Sequence, residues 1–221
     1  PTPTSSSAAS DVYKRQGRSN QNVYLQESTG RFYAVPSHTL PPARGQGEPA
    51  SGKLNLPAGA TLTGMIMGDD DKEVFVGTSA GYGFRTTITD LHTKNKAGKS
   101  VVKISPYAQV VQPKLIYDDN SLIVAVSNEG RMLVFDISNV PKLAKGKGNK
   151  IINIPSARLK RGEEWVVDYA IVGQGTSLLV YSGKRYLSLK YGDLEHYIGE
   201  RGRRGHKLPR GFQRVDYLKS E

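Results

Sequence analysis

Cysteine is absent from the 221-residue chain, which excludes a disulfide framework, a cysteine zinc site and thiol catalysis. Long apolar runs are missing too. The longest covers residues 122–126, far short of the roughly 20 residues that cross a bilayer. No stretch repeats apolar residues at the three- and four-residue spacing of a long amphipathic helix. These absences predict no membrane span, fit a reducing compartment, and leave an all-β domain as the expected fold.

Catalytic and metal-binding patterns are also lacking. The four histidines are scattered, and no nucleophile-elbow, zinc-protease or phosphate-loop motif occurs. Residues 69–71 and 118–119 are runs of aspartate that could attract Mg²⁺. Both runs fall at the same place in the repeat described below, where the fourth period has a glycine-rich turn, so we interpret them as turns. We therefore predict no catalytic residue and no metal site, and we expect the lone Trp165 to lie in the core.

Charge is what the chain has in excess. It carries 31 Lys and Arg against 20 Asp and Glu, a net charge of +11, while 37% of its residues are apolar. The apolar share suffices for a core, so global disorder is not expected. A basic excess of this size indicates a polyanionic partner, with nucleic acid ahead of an anionic membrane.

The first sixteen residues differ from the rest. Residues 1–16 are Pro/Thr/Ser/Ala-rich, and residues 6–16 resemble the in-frame translation of a sequencing adapter; the chain also begins with proline. We interpret this segment as a disordered artefact joined to a gene truncated at its N-terminus, and we exclude it from the fold.

Residues 17–221 repeat one pattern of strand, glycine turn and strand. The turn glycines Gly30, Gly81, Gly130 and Gly183 are spaced by 51, 49 and 53 residues, and hairpin turns favour glycine. Each period of about 51 residues adds a basic loop and further strand candidates, including residues 53–56, 101–104 and 151–154. Such a period predicts a propeller-like array of four-stranded blades, with repeats roughly at 17–60, 61–110, 111–160 and 161–218.

The basic, glycine-containing loops carry the functional signal. They cover residues 43–47, 95–99, 145–150 and 199–205. In a propeller these loops occupy equivalent positions on successive blades, so their cations line a curved rim that suits the phosphates of duplex DNA. The predicted phosphate contacts are Arg44, Lys94, Lys96, Lys99, Lys145, Lys147, Lys150, Arg201, Arg203, Arg204, Lys207 and Arg210.

Several strings within this array resemble one known family. They are LPPARGQGEP at residues 40–49, AGYGF at 80–84, LAKGKGNKIINIP at 143–155 and GERGRRG at 199–205. The likeness runs from about residue 20 to 218 and identifies the chain with the C-terminal domains of bacterial topoisomerase IV A subunits, in the gyrase A family. The family fold is a β-pinwheel, a propeller in which neighbouring blades exchange a strand, and its basic rim binds and bends DNA.

The resemblance implies part of an ATP-dependent type II topoisomerase that is cytoplasmic and associated with the bacterial nucleoid. It implies double-stranded DNA as the ligand. It also implies a heterotetramer that contains the rest of the A subunit and the ATPase B subunit. The strand-cleaving tyrosine lies outside this chain, so Mg²⁺ and ATP belong to absent domains and no cofactor is expected here. Gyrase A has a basic box with consecutive glycines that no loop reproduces, which favours the decatenating enzyme. A gyrase-type wrapping domain, a protein-interaction propeller and a propeller enzyme remain the alternatives.

Overall fold

The computed structural model describes residues 18, 20–41 and 47–221, which fold almost entirely as antiparallel β-structure. Four sheets, here called blades, follow one another along the chain; three have four strands and the last has three. The strands of each blade are given in their order across the sheet. Blade 1 consists of β3 (Leu62–Ile66), β1 (Asn22–Glu27), β2 (Arg31–Pro36) and β6 (Lys99–Ser100), and blade 2 consists of β7 (Val110–Ile116), β4 (Glu73–Thr78), β5 (Tyr82–Thr87) and β10 (Asn149–Lys150). Blade 3 consists of β11 (Val166–Val172), β8 (Leu122–Ser127), β9 (Arg131–Asp136) and β14 (His206–Lys207), and blade 4 consists of β15 (Tyr217–Ser220), β12 (Ser177–Ser182) and β13 (Arg185–Lys190).

Each blade is built on one of the predicted hairpins. The four turn glycines have positive φ, from 60° at Gly183 to 87° at Gly30, a backbone region that residues with a Cβ rarely adopt. The strands β3, β7, β11 and β15 lie side by side in that order. They are therefore the inner edges of the blades, and β6, β10 and β14 are outer edges.

Neighbouring blades exchange strands. The outer strand of blade 1 comes from the loop that follows the hairpin of blade 2, and blades 2 and 3 are completed in the same way by β10 and β14. The inner strand of each blade also comes from the segment after its own hairpin. The predicted all-β pinwheel is therefore confirmed, although blades 1 to 3 each draw their strands from two successive sequence repeats.

The short exchanged strands lie two residues earlier than the sequence predicts. Residues 101–104 and 151–154 are not strands, and residues 53–56 are not a strand either. Val101 and Val102 both donate their amides to the Gly30 carbonyl, at 3.1 and 3.0 Å, so the chain turns off the sheet edge there. Their side chains are buried between blades. The aliphatic residues Val101 and Val102 are therefore buried between the blades, whereas the polar residues before them, Lys99 and Ser100, form the strand.

The core lies between blades. One cluster joins blades 2 and 3, with the rings of Phe75 and Tyr169 only 4.8 Å apart. Helices are short: α1 (Ile88–Leu91), α2 (Ser156–Lys160) and 3₁₀ turns such as Tyr191–Tyr197. The polar segment at 156–164 begins with α2. The prediction that Trp165 is a core residue is wrong, since its side chain is 40% exposed just before β11.

Candidate nucleic-acid interface

The second, third and fourth basic loops lie on the outer edges of the blades, because each of these three leads into an exchanged strand. Lys99 is opposite Phe32, Lys150 is opposite Tyr82, and Lys207 is opposite Arg131. In all three cases the loop therefore meets the first two residues of the second hairpin strand. Arg44 and residues 1–16 lie outside the described residues.

Successive loops are hydrogen-bonded to one another. The Asn55 amide donates to the Lys96 carbonyl at 3.1 Å, and the Lys103 amide donates to the Gly146 carbonyl at 2.8 Å. The Asn153 amide donates in turn to the Arg203 carbonyl at 2.9 Å. The segments around the second, third and fourth basic loops, together with Asn55 of the first repeat, therefore form one continuous rim.

Five of the predicted contacts are exposed and make no ion pair with the described residues. Lys94, Lys96, Lys145 and Arg210 are exposed and make no side-chain hydrogen bond or ion pair with the described residues. The Lys147 ammonium lies 4.0 Å above the centre of the Tyr82 ring, a contact that leaves its donors free to reach an anion. These five cations are the ones most available to phosphate.

Other predicted contacts are half-buried or already bonded. Lys99 Nζ donates to the Asp90 carbonyl, and Lys150 Nζ donates to Asn153 Oδ1 at 3.2 Å. Arg201 donates to the Lys150 carbonyl at 3.1 Å. These bonds hold the loops in place, and the charges still add to the positive potential of the rim.

The last loop and β14 together contain three further cations in ion pairs. Arg203 pairs with the exposed Glu200 at 2.9 Å, and Lys207 Nζ is 4.0 Å from Glu129 while it also donates to the Glu129 carbonyl. Arg204 differs from both, since it donates two hydrogen bonds of 3.0 Å to Glu164 Oε2, a carboxylate with no exposed surface. A buried carboxylate needs such a partner, so Arg204 has a structural bond that the sequence pattern did not reveal.

The aspartate runs lie at the other end of the hairpin strands. The Asp70 carbonyl accepts from Thr89 and the Ser121 carbonyl accepts from Ile137, where β5 and β9 have just ended. Gly83, which faces the basic loop, is about five strand residues or roughly 16 Å from that end. This is about two Debye lengths at physiological salt. An anion on the rim is thus largely screened from the aspartates.

Lys103 and Lys160 are two exposed cations that the loop pattern did not include. Lys103 is exposed where the second and third loops meet, and Lys160 of α2 lies 5.8 Å from the ring centre of Tyr107. Neither belongs to a glycine-containing loop, so the loop pattern could not find them. The strand exchange between blades could have indicated them, because it brings the segment after each loop back to the rim.

A cavity of about 250 Å³ opens at the inner strands and is lined by Trp165, Tyr217 and the carboxylates of Asp168 and Asp216. Asp168 is 2.8 Å from Lys114 Nζ and accepts the Leu218 amide at 3.0 Å, and Asp216 accepts the Gly183 amide at 2.6 Å. Both carboxylates are thus bonded within the protein. Within the described ranges, no group of three or more His, Asp or Glu side chains could hold a metal ion, and no helix is long and apolar enough to span a membrane.

Comparison with known proteins points to one family. The family model of the DNA gyrase C-terminal domain, a β-propeller, matches residues 72–116 and 121–171. The A subunit of DNA topoisomerase 4 from Pseudomonas aeruginosa is 51% identical over 203 residues, which cover 91% of this chain and 27% of that protein. The Escherichia coli K12 protein of the same name is 46% identical over 210 residues, 94% of this chain and 28% of that protein. The chain therefore spans about a quarter of the length of these curated relatives.

Solved structures agree with this likeness. The C-terminal domain of Escherichia coli ParC superposes with a TM-score of 0.82 at 46% identity, covering 93% of this chain and 83% of that domain. The C-terminal domain of DNA gyrase A superposes with a TM-score of 0.69 at 17% identity, covering 90% of this chain and 65% of that one. At such low identity the second match speaks for the fold alone.

Proposed function

Because the chain belongs to the gyrase A family, as a C-terminal domain of the topoisomerase IV type, we propose that residues 17–221 bind and bend duplex DNA. The continuous rim of exposed cations, with the aspartate runs at the far end of the strands, carries this proposal. Duplex DNA is a long polyanion, and each neutralised phosphate releases condensed counterions. A rim that crosses several blades can follow a curved duplex and stabilise the bend through added interactions.

Within a whole type II topoisomerase, this domain would guide the transported duplex for decatenation and relaxation. The catalytic tyrosine, the rest of the A subunit, and the ATPase B subunit of the heterotetramer are proposed from the family, as are Mg²⁺, ATP and a cytoplasmic, nucleoid-associated location. A gyrase-type wrapping domain is the second candidate. The loop at residues 145–150 alternates lysine with glycine or asparagine, which supports the decatenating type over it.

The twelve predicted contacts divide by their availability. Lys94, Lys96, Lys145, Lys147 and Arg210 are proposed as direct phosphate ligands because they are exposed. Lys99, Lys150, Arg201, Arg203 and Lys207 add to the potential, Arg44 stays a proposed contact, and Arg204 acts chiefly through Glu164. Phosphate contacts carry no direct sequence information, so we expect little sequence preference.

Fluorescence anisotropy with a labelled duplex of about 40 base pairs, titrated at two salt concentrations, tests the proposal. We expect binding that falls steeply with salt and is equal for scrambled sequences. The triple variant K94Q/K96Q/K145Q should bind more weakly. The slope of its log K against log salt should become shallower by about 0.9 for each phosphate that is no longer neutralised.

Lys72→Gln is the matched control, because Lys72 stands beside the aspartate run at the other end of the blade. It should leave the slope unchanged. If the folded wild-type chain fails to bind duplex at low salt, DNA binding is overturned and an interaction propeller is the better account. Binding through net charge alone predicts that Lys72→Gln loses about one third as much in log K as the triple variant, because it removes one charge instead of three; that outcome would overturn the rim.

A further inference from the structure

Tyr107 has a strained backbone. Among the described residues it is the one residue other than glycine with a positive φ, which is 63°. It stands third in the turn at residues 105–108, where the Ala108 amide donates to the Ser105 carbonyl at 3.1 Å. A left-handed backbone is unfavourable for any residue with a Cβ, and for a bulky side chain it is a genuine outlier. Such strain concentrates at functional sites.

Two other repeats form the same turn with glycine in the third position. The turns at residues 57–60 and 209–212 are each closed by a hydrogen bond of 3.0 Å from the last amide to the first carbonyl. Their third residues are Gly59, with φ 76°, and Gly211, with φ 98°. No described atom lies within 4 Å of the Cβ position at Gly59. The turn therefore requires the backbone angle and has room for a side chain, so the tyrosine needs a reason of its own.

Contacts within the protein do not supply that reason. Tyr107 is 65% exposed, and its hydroxyl makes no hydrogen bond with the described residues. The Lys160 ammonium lies 5.8 Å from the ring centre. At an exposed site such a contact stabilises less than a left-handed backbone costs. The tyrosine therefore lowers the stability of the free protein, which is typical of a residue retained for binding.

The turn that contains Tyr107 meets the third basic loop at the hairpin turn of blade 2. Ser79 of this hairpin donates its amide to the carbonyl of Gln109, two residues after Tyr107, at 2.8 Å. Gly81 of the same hairpin accepts the amide of Ile151, the residue directly after β10, at 2.7 Å. The exposed ring therefore lies at the end of the blade that bears the basic rim.

Exposed cations flank the ring on both sides. Lys160 contacts it, and Lys103 precedes Tyr107 by four residues, so the Cα atoms of Lys103 and Tyr107 are at most about 14 Å apart. Lys103 also donates its amide to the Gly146 carbonyl of the third loop. Duplex DNA carries about eight phosphates along 14 Å of its axis. A duplex that follows the rim lysines therefore brings phosphates within reach of the tyrosine.

We propose that Tyr107 is a further DNA contact, whose hydroxyl donates a hydrogen bond to a phosphate of the duplex bound on the rim. This inference rests on the DNA binding proposed above. The left-handed turn holds the ring at the surface, and tyrosine is one of the side chains that contact phosphate in protein–DNA complexes. Because the hydroxyl is neutral, its bond strengthens binding without the counterion release that a lysine contact brings.

The variant Y107F tests the contact, because it keeps the ring and the backbone angle and removes only the hydroxyl. Its affinity for the labelled duplex is measured by fluorescence anisotropy across a series of salt concentrations. We expect affinity about five- to tenfold below that of the wild type at every salt concentration. The slope of log K against log salt should stay unchanged. Y117F is the matched control and should bind like the wild type, since Tyr117 is 78% exposed directly after the far end of β7.

The variant Y107G separates binding from stability. It should bind duplex at least as weakly as Y107F, yet its melting temperature by circular dichroism should rise by about 2 °C. The reason is that relief of the backbone angle exceeds the entropy that glycine adds to the unfolded chain.

The outcomes distinguish this contact from DNA binding itself. Wild-type affinity in Y107F, while the wild type binds duplex, overturns the phosphate contact and leaves the rim intact. A lower melting temperature in Y107G would show that the tyrosine stabilises the turn, and would overturn its retention for binding. If the folded wild-type chain does not bind duplex at low salt, both proposals fail.

Discussion

Arg204 and Glu164 form a two-pronged ion pair in which Nη1 and Nη2 of the arginine both lie 3.0 Å from Glu164 Oε2. The carboxylate is fully buried, and Arg204 Nη1 also donates to the Asn153 carbonyl at 3.1 Å. The pair ties the last basic loop to the segments before and after α2. One cation of the rim therefore holds the rim together instead of remaining available to a ligand.

Replacing Arg204 with glutamine should cost more stability than any other charge neutralisation on the rim. The buried Glu164 then keeps only the more distant Arg158, whose Nη1 is 3.5 Å away, and removal of a buried partner costs about 3 kcal/mol. Urea unfolding followed by circular dichroism measures the change. Arg203→Gln is the control, because Arg203 and Glu200 are both 73% exposed, and such surface pairs contribute about 0–1 kcal/mol. Equal losses in the two variants would contradict the structural role of Arg204.

Gly148→Ala should loosen the attachment of blade 2 to its exchanged strand. The added Cβ would meet the Gly83 carbonyl oxygen at 2.2 Å, and φ there is 76°. We expect a loss of about 3 kcal/mol, of which about 1 comes from the backbone angle and the rest from overpacking. Gly175→Ala is the control that measures the cost of the backbone angle alone, since φ at Gly175 is 81° and no atom of the described residues lies within 4 Å of its Cβ position.

The Gly175 variant should lose only about 1 kcal/mol in the same unfolding experiment. Amide hydrogen exchange at Gly83 and Asn149, which are opposite each other, then shows whether the Gly148 variant has released β10. Protection that stays at the wild-type level, together with a loss no larger than that of Gly175→Ala, would rule out the close approach.

Tyr169→Phe should change the alkaline stability of the protein. Burial, with a smaller contribution from the charge of Asp168, raises the pKa of the Tyr169 phenol far above its usual range. The folded state therefore holds its proton more tightly than the unfolded state. Stability from this group is complete below the unfolded pKa of about 10 and falls above it by up to about 1.4 kcal/mol per pH unit.

Phenylalanine removes the titrating group, so the variant should lose less stability between neutral and strongly alkaline pH than the wild type. At neutral pH it should be destabilised by about 1 kcal/mol, because the phenol donates to the Thr78 carbonyl at 2.9 Å. Tyr186→Phe, at an exposed position, should leave the pH dependence unchanged. Guanidinium unfolding at a series of pH values measures both effects.

Much of the fold could be predicted from local patterns. The hairpins around Gly30, Gly81, Gly130 and Gly183 follow from β-branched runs interrupted by glycine, which are properties of neighbouring residues. The basic loops follow in the same way from composition, and their repetition indicates equivalent positions on successive blades. Burial of Trp165 and strand pairing at residues 151–154 were predicted wrongly, because apolar character alone does not tell which surface covers a side chain.

The sequence by itself determined the all-β class, the repeat of about 51 residues, the turn positions and the basic loops, because each depends on residue type and spacing. Only the tertiary structure decided which cations are available. Glu164 lies 40 residues from Arg204 in sequence, and no local pattern joins them. Strand exchange could not be predicted from local patterns for the same reason: β14 completes blade 3 although it is more than 70 residues from β9. Such partners are selected by the packing of whole blades, where burial and hydrogen bonding are satisfied together across long separations.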